Sequence, residues 1–339
     1  MAKTIIGIEI TERSVRAVEV TTGRAPKLIA AGDVPLPPGA AKDSEVLDPD
    51  AVAVAVRQLW GRAGIKGRRV VLGIGSRRLL VREYAAPVMK PELLRQALPF
   101  QVQDLLPVPV AQAVLDFYPV QTSGDRVHGL LVAAVAETVE QLITTLGKAR
   151  LHVEVVDVAP FGLARVGGRL APRDETVAMV HLGEHTSYVV VAIAGVPRFV
   201  RIIPVDLPVE GDQTAEAPAE ALELAGVGAA GAPAPRTLRS RAAGRWSALE
   251  PAYADLVERV HSTIGFYNDR EGAAQIGSVF VSGAAAAAPG VLDALAAQLP
   301  APVRPVVADE VVRLGPGVAP EQLTANMLPT VGLTLGEGS

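Results

Sequence analysis

The chain contains no cysteine, which excludes disulfides, thiolate metal sites and cysteine nucleophiles. It also lacks any uninterrupted apolar stretch of the roughly 20 residues that a membrane-spanning helix requires. Its opening residues, Met1-Ala2-Lys3-Thr4, run straight into an apolar strand pattern without the basic region, apolar region and cleavage site of a secretory leader. A soluble, cytoplasmic protein is expected, one that reaches any membrane through a partner. Charge is scarce as an asymmetry: the net value is −4 and the basic residues are dispersed, so no nucleic-acid footprint is expected.

What the chain has in quantity is apolar residues, 49% of 339, enough for two cores or one bilobed body. They are used twice in one pattern. Ile5 to Val20 reads IIGIEITERSVRAVEV, two apolar runs around the polar break Thr11-Glu12-Arg13-Ser14, a β-hairpin signature. Val177 to Ala192, VAMVHLGEHTSYVVVA, repeats it around Gly183-Glu184-His185-Thr186. In that alignment Glu9 meets His181, Thr11 meets Gly183, Glu12 meets Glu184 and Ser14 meets Thr186. A hairpin used twice points to two related halves, and two such turns facing across a cleft can hold a phosphate chain through backbone N–H groups and hydroxyls.

The remaining order supports the duplication. Lys27 to Val34 predicts a third strand, Asp48-Pro49 an N-capped helix through Val52, Val56, Leu59 and Trp60, and Arg69 to Ile74 a buried strand. Thr176 to Ile203 repeats the three-strand opening. Leu249 to Tyr267 predicts an amphipathic helix, Ser278 to Val281 a strand, Leu292 to Leu299 a helix and Val303 to Val307 the last strand. A short helix is expected from Phe161. The segment from Val209 to Ser247 is rich in Ala, Pro, Gly and Glu and reads as an excursion.

The expected fold is α/β, an actin-like bilobed fold of two ribonuclease-H-type β-β-β-α-β units with a small α+β inserted subdomain. The division expected is a first lobe over 1–78 and 153–175, the insert over 79–152, and a second lobe over 176–208 and 249–339, with the excursion at 209–248.

One stretch is more specific than the fold. In Leu80 to Val120, the ordered set Val81-Arg82-Glu83, Pro87, Met89, Glu92-Leu93, Ala97-Leu98, Phe100, Gln103, Pro107 to Pro109 and Leu115-Asp116-Phe117 resembles the PilM family of type IV pilus assembly, an actin-like group related to FtsA. The resemblance continues through Leu130 to Arg165, Glu258 to Tyr267 and Val279 to Leu292. It implies a cytoplasmic adaptor at the inner face of the cell membrane that binds the N-terminal tail of PilN, near Arg82, Glu83, Phe100, Gln103, Leu105, Pro107 and Pro109. Pilus motor ATPases and a homo-oligomer are further partners it suggests.

The resemblance also implies ATP with Mg²⁺ at Glu9, Thr11, Glu12, Ser14, Arg16, Gly183, Glu184, Thr186, Ser187, Gly283 and Ala284. Yet the residues depart from the Asp-x-Gly-x-x-[Ser/Thr] pattern of actin-like phosphate loops. Thr11 replaces a glycine, His181 replaces a carboxylate, and alanines replace the inner glycines after Gly283. Ala219 to Glu223 resembles a family Ala-Glu-x-x-Lys run with Glu223 in the lysine's place. Two readings stay open, a working ATP cleft with at most weak hydrolysis, and a relic cleft whose fold persists as a scaffold. An active ATPase or phosphotransferase and an FtsA-like division protein are the rivals. His181 and His185 share no helical face and have no third ligand, so a metal site is not expected.

Overall fold

The computed structural model describes residues 3–23, 25–43, 45–207 and 250–336. The excursion at 209–248, including the Ala219 to Glu223 run, lies outside them.

The first hairpin forms as its pattern dictates. Strands β1 (Thr4–Ile10) and β2 (Ser14–Thr21) pair antiparallel with Glu9 opposite Arg16 and Ile10 opposite Val15, and β3 (Lys27–Pro35) adds beside β2. A two-residue pair, β4 (Ala41–Lys42) and β5 (Glu45–Val46), precedes helix α1 (Pro49–Ala63). Asp48 caps α1, its carboxylate accepting from the Asp50 and Ala51 N–H groups at 3.0 Å each. One helical face buries Val52, Val56, Leu59 and Trp60, each worth about 1.5–3 kcal/mol when a large side chain is fully removed from water. Strand β6 (Arg69–Ile74) runs parallel to β1.

The insert follows. Strands β7 (Leu80–Pro87), β8 (Ala113–Ser123) and β9 (Arg126–Val135) form a sheet in the order β7-β9-β8, with helix α2 (Pro91–Val102) against it. Helix α3 (Ala136–Lys148) packs with the first lobe: Leu142 and Leu146 share a core with Ile8, Val56 and Leu59. Strand β10 (His152–Val158) completes the first sheet beside β6.

Helix α4 (Ala159–Leu170) leads to the second lobe. There β11 (Thr176–His181), β12 (Thr186–Ile193), β13 (Val196–Pro204), α5 (Pro251–Asn268), β14 (Ile276–Ser282), α6 (Val291–Gln298) and β15 (Val303–Pro305) repeat the first lobe's order. The sheet orders match: β10-β6-β1-β2-β3 in one lobe and β15-β14-β11-β12-β13 in the other. A two-residue strand, β16 (Arg313–Leu314), returns to the first sheet's β3 edge.

Helix α7 (Leu328–Leu333) is the second copy of α4, and the two cross between the lobes. Their contact is backbone on backbone. A Cβ on Gly332 would lie 2.2 Å from the Gly162 carbonyl oxygen, and one on Gly162 would lie 2.7 Å from the Pro329 carbonyl oxygen. This crossing holds the N-terminal end of α7 beside β1, which is what brings the C-terminal segment to the cleft.

Candidate functional site

The site is built from the two hairpin turns and the segment that enters α7. In the first turn, the Thr11 N–H and hydroxyl both donate to the Ser14 carbonyl, each at 2.9 Å. The Thr11 Oγ1 in turn accepts from the Ser14 N–H at 3.1 Å, so the side chain that replaces the usual glycine closes the turn on itself. The residues below it are charged and buried. Glu9 is 6% and Arg16 8% exposed. The Arg16 Nε donates to Asp33 Oδ2 at 3.0 Å and its Nη1 to the Asn326 carbonyl at 3.4 Å. Thr330 Oγ1 donates to the Glu9 carboxylate. Burial raises the Glu9 pKa, opposed by the Thr330 hydrogen bond and the Arg16 charge.

In the second turn a Cβ on Gly183 would lie 2.3 Å from the Thr186 carbonyl oxygen, so only glycine fits and the two four-residue turns differ in backbone. His181 stands where Glu9 stands in the first lobe, 3% exposed, with Nδ1 3.0 Å from Ser282 Oγ. Its ring stacks on Tyr188, centroids 5.9 Å apart at 17°. Burial, reinforced by the Arg16 charge, pushes the His181 pKa down to about 3, so the imidazole is neutral at physiological pH. The Tyr188 hydroxyl donates to the Gly75 carbonyl at 2.9 Å, tying the second hairpin to the end of β6.

The turns touch each other. Arg13 Nε donates to His185 Nε2 at 2.9 Å, and His185 Nδ1 lies 3.8 Å from Glu12 and 3.2 Å from Asp206. Arg77 reaches across as well: its Nη2 donates to the His185 carbonyl (2.9 Å), the Val205 carbonyl (3.0 Å) and Asp206 Oδ1 (2.5 Å). Its Nε lies 2.9 Å from Asp43 Oδ1, an ion pair whose angle is not that of a hydrogen bond. Although desolvation acts to raise it, hydrogen bonds from Arg77 and His185 hold the Asp206 carboxyl below its ordinary value.

What remains between the turns is a cavity of about 50 Å³, against the ~300–1,000 Å³ of ordinary ligand pockets. Glu9, Glu12, Asp43 and Glu184 line it; Arg16 stands opposite Glu9, Asp43 pairs with Arg77, and Glu184 lies 4.0 Å from Arg13. This arrangement does not match a magnesium triphosphate. The second metal-holding carboxylate is a neutral histidine, four carboxylates would face the phosphates, and the space is a few waters wide. Among the described residues there is no group of three side chains suited to a metal ion.

Family-level comparison decides the lineage. The type IV pilus assembly protein PilM family matches residues 7–336. This chain belongs to the PilM family. In structure it is similar to the solved PilM-PilN type IV pilus biogenesis complex, with a TM-score of 0.78 and 23% identity over 99% of this chain and 98% of that one. It is also similar to the ethanolamine utilization protein EutJ from Carboxydothermus hydrogenoformans, with a TM-score of 0.54 and 14% identity over 99% and 90%. Both likenesses concern the actin-like fold.

Within this PilM-family fold the residues singled out for a nucleotide do not all converge. Glu9, Thr11, Glu12, Arg16, Gly183, Glu184 and Thr186 line the cavity. Ser14 holds the first turn, and Ser187 is fully buried behind the second. Gly283 and Ala284 stand after β14, where the Ala284 N–H donates to Asn326 Oδ1 at 2.7 Å. Asn326 thus occupies the amide next to the glycine and holds Arg16 by its own carbonyl. Asn326, Thr330, Asp33, Tyr188 and Asp206 carry no motif, and sequence reasoning did not single them out.

The partner-region residues lie on the insert but on more than one face. Arg82 and Glu83 are consecutive on β7 and so point to opposite sides of the sheet; Glu83 is bonded to Arg270 of the second lobe. Phe100 on α2 is 80% exposed. Gln103, Pro107 and Pro109 are exposed, and Leu105 packs partly into the insert's small core of Leu98, Val102 and Leu131. No helix among the described residues is long and apolar enough to cross a membrane.

Proposed function

We propose that this chain is an actin-like adaptor of the type IV pilus inner-membrane platform that docks the N-terminal cytoplasmic tail of a PilN-type membrane protein and acts as a binding module. The observation that carries this is membership of the PilM family across residues 7–336. The insert supports it by exposing Val88, Leu93, Phe100 and Val114, apolar surface of the kind that marks interaction sites. A narrow crevice lined by Leu79, Val135, Val139 and Leu142 marks the junction of insert and first lobe. The protein would lie at the inner face of the membrane through that partner, with contacts to motor ATPases or further copies following from the same platform.

In this reading nucleotide is not part of the function. The lobes are joined where phosphates would lie, by Arg13, Arg77, His185 and Asp206, and the cleft retains one of the two expected carboxylates, itself pushed toward neutrality. Calorimetric titration with a synthetic PilN tail peptide, with and without Mg-ATP, tests both parts. Peptide binding that Mg-ATP leaves unchanged supports the adaptor reading. Micromolar binding of Mg-ATP overturns the exclusion of nucleotide, and failure of the peptide to bind overturns the docking role.

A further inference from the structure

A larger cavity lies elsewhere. A cleft of about 750 Å³ separates the insert's sheet from the second lobe, lined by β7, β8 and β9 on one side and by β13 and the end of α5 on the other. Two arginines of the second lobe line it, Arg198 and Arg270, and each carries a buried nitrogen, Arg198 Nε and Arg270 Nη1, without an acceptor among the described residues. Burying an N–H of a charged group without an acceptor costs free energy, more than for a neutral group. Here that cost is carried twice in one cavity.

The positions are built. In the β12–β13 ladder Val191 pairs with Phe199 and Ala192 with Pro197. Arg198 is the extra residue of that bulge, a feature that re-aims a side chain out of its regular face. Arg270 is fixed on three sides. Its Nη2 binds Glu83, and its guanidinium lies 5.7 Å from the ring centroids of both Phe199 and Tyr267. Arg198, Arg270 and Tyr267 all line the cleft, which places the three groups together.

We infer that this cleft binds an acidic peptide segment, whose Asp or Glu carboxylate draws the Arg198 and Arg270 guanidinium groups toward the cleft and accepts the N–H groups that are left without an acceptor. A carboxylate is the planar acceptor that a guanidinium fork matches. Glu83 and Glu271 stand in the same wall and oppose a doubly charged phosphate more than a single carboxylate. Among the described residues β13 is the outer strand of its sheet, and the unpaired backbone of an edge strand accepts an extended peptide. The cleft is separate from the crevice between insert and first lobe, so it can be tested independently of the tail-docking reading.

The experiment follows the arginine Nε–H resonances of the full-length ¹⁵N-labelled protein while N-acetyl-Val-Glu-Val-amide, its Gln counterpart or inorganic phosphate is added. The Glu peptide is expected to shift the Arg198 Nε–H saturably, with a dissociation constant of about 1 mM or tighter, and the Gln peptide to bind roughly tenfold more weakly or worse. Arg198→Gln removes the guanidinium whose Nε–H has no acceptor among the described residues; with an unfolding midpoint within a few degrees of wild type, it should weaken the Glu peptide about tenfold. Arg270→Gln should do the same; if that variant fails to fold, Arg198→Gln carries the test. No saturable shift up to about 20 mM Glu peptide, equal binding of the Glu and Gln peptides, or phosphate binding tighter than the Glu peptide would each overturn the proposal.

Discussion

Glu9 and His181 occupy the same rung of the two sheets. Glu9 pairs with Arg16 on the next strand and with Gly73 on the parallel one, while His181 pairs in the same positions with Tyr188 and Ser282. The duplicated frame therefore presents a carboxyl–guanidinium pair on one side and a neutral stacked pair on the other. Burial raises the Glu9 pKa and lowers that of His181, and the Arg16 charge pulls downward on both, so it opposes the effect of burial at Glu9 and reinforces it at His181.

That asymmetry sets a pH dependence. His181 titrates near 6.5 when unfolded and near 3 in the folded protein. Between those values the unfolded chain takes up a proton that the native state refuses, so stability is full above the unfolded value and falls as the pH drops. Glu9, raised above 4.5, has the opposite sign and loses its contribution as the pH rises. The two separate in a difference experiment. His181→Asn should remove the acid-side loss, so that from pH 7 to pH 4.5 urea unfolding shows the wild type losing about 2 kcal/mol more than the variant. Parallel pH profiles for the two proteins would reject a buried neutral His181.

Thr330 is fully buried and donates to Glu9 from α7. Thr330→Val keeps the shape and removes the donor, leaving the carboxylate with less compensation. A loss of about 1–3 kcal/mol is expected. Because the lost bond favoured the ionised form, the Glu9 pKa should rise further, making the deficit larger at pH 7.5 than at pH 4.5. Denaturant curves at the two values check this, and a deficit independent of pH would contradict the hydrogen bond.

The crossing of α4 and α7 leaves no room for a methyl group. Gly332→Ala would set its Cβ 2.2 Å from a backbone oxygen of Gly162, and backbone cannot swing aside as a side-chain tip does. The expected cost is at or above the usual overpacking range of about 1–3 kcal/mol, read as a lower unfolding midpoint. The exposed Gly61, whose Cβ would meet nothing within 4 Å, is the control: Gly61→Ala in helix α1 should stabilise by roughly 0.5–1 kcal/mol.

The duplicated hairpins were legible in the sequence because each is a local pattern, two apolar runs around a four-residue polar break, and the matched pairs are those that the sheets align. The Asp48 cap and the amphipathic helices were legible for the same reason. What was hidden is long-range. Asn326 and Thr330 meet Arg16 and Glu9 across more than 300 residues, and no periodicity announces them. The helix expected to be short from Phe161 runs from Ala159 to Leu170, its Gly162, Gly167 and Gly168 being packing requirements and not breaks. The strand expected over Val303 to Val307 ends at Pro305, and the Arg313–Leu314 strand carries no signal because a two-residue strand has no pattern to read.

Arg77 joins the lobes at the cleft mouth, and its removal separates a latch from a scaffold. Its Nη2 holds the carbonyls of His185 and Val205 and the Asp206 carboxylate, while the Val205 and Leu207 N–H groups donate to the second turn at 3.0 Å each. Arg77→Ala should therefore cost about 1 kcal/mol of stability and speed hydrogen exchange at the Val205 and Leu207 amides by roughly tenfold, the local opening that one lost charged bond allows. Exchange in α1, whose core lies behind the first sheet, should stay unchanged. Opening the mouth does not restore the missing carboxylate at His181, so the variant should gain no Mg-ATP binding by calorimetry. If Arg77→Ala bound Mg-ATP at micromolar concentration, the ion-pair bridge alone would be what keeps nucleotide out, and the substitution at His181 would have no bearing on it.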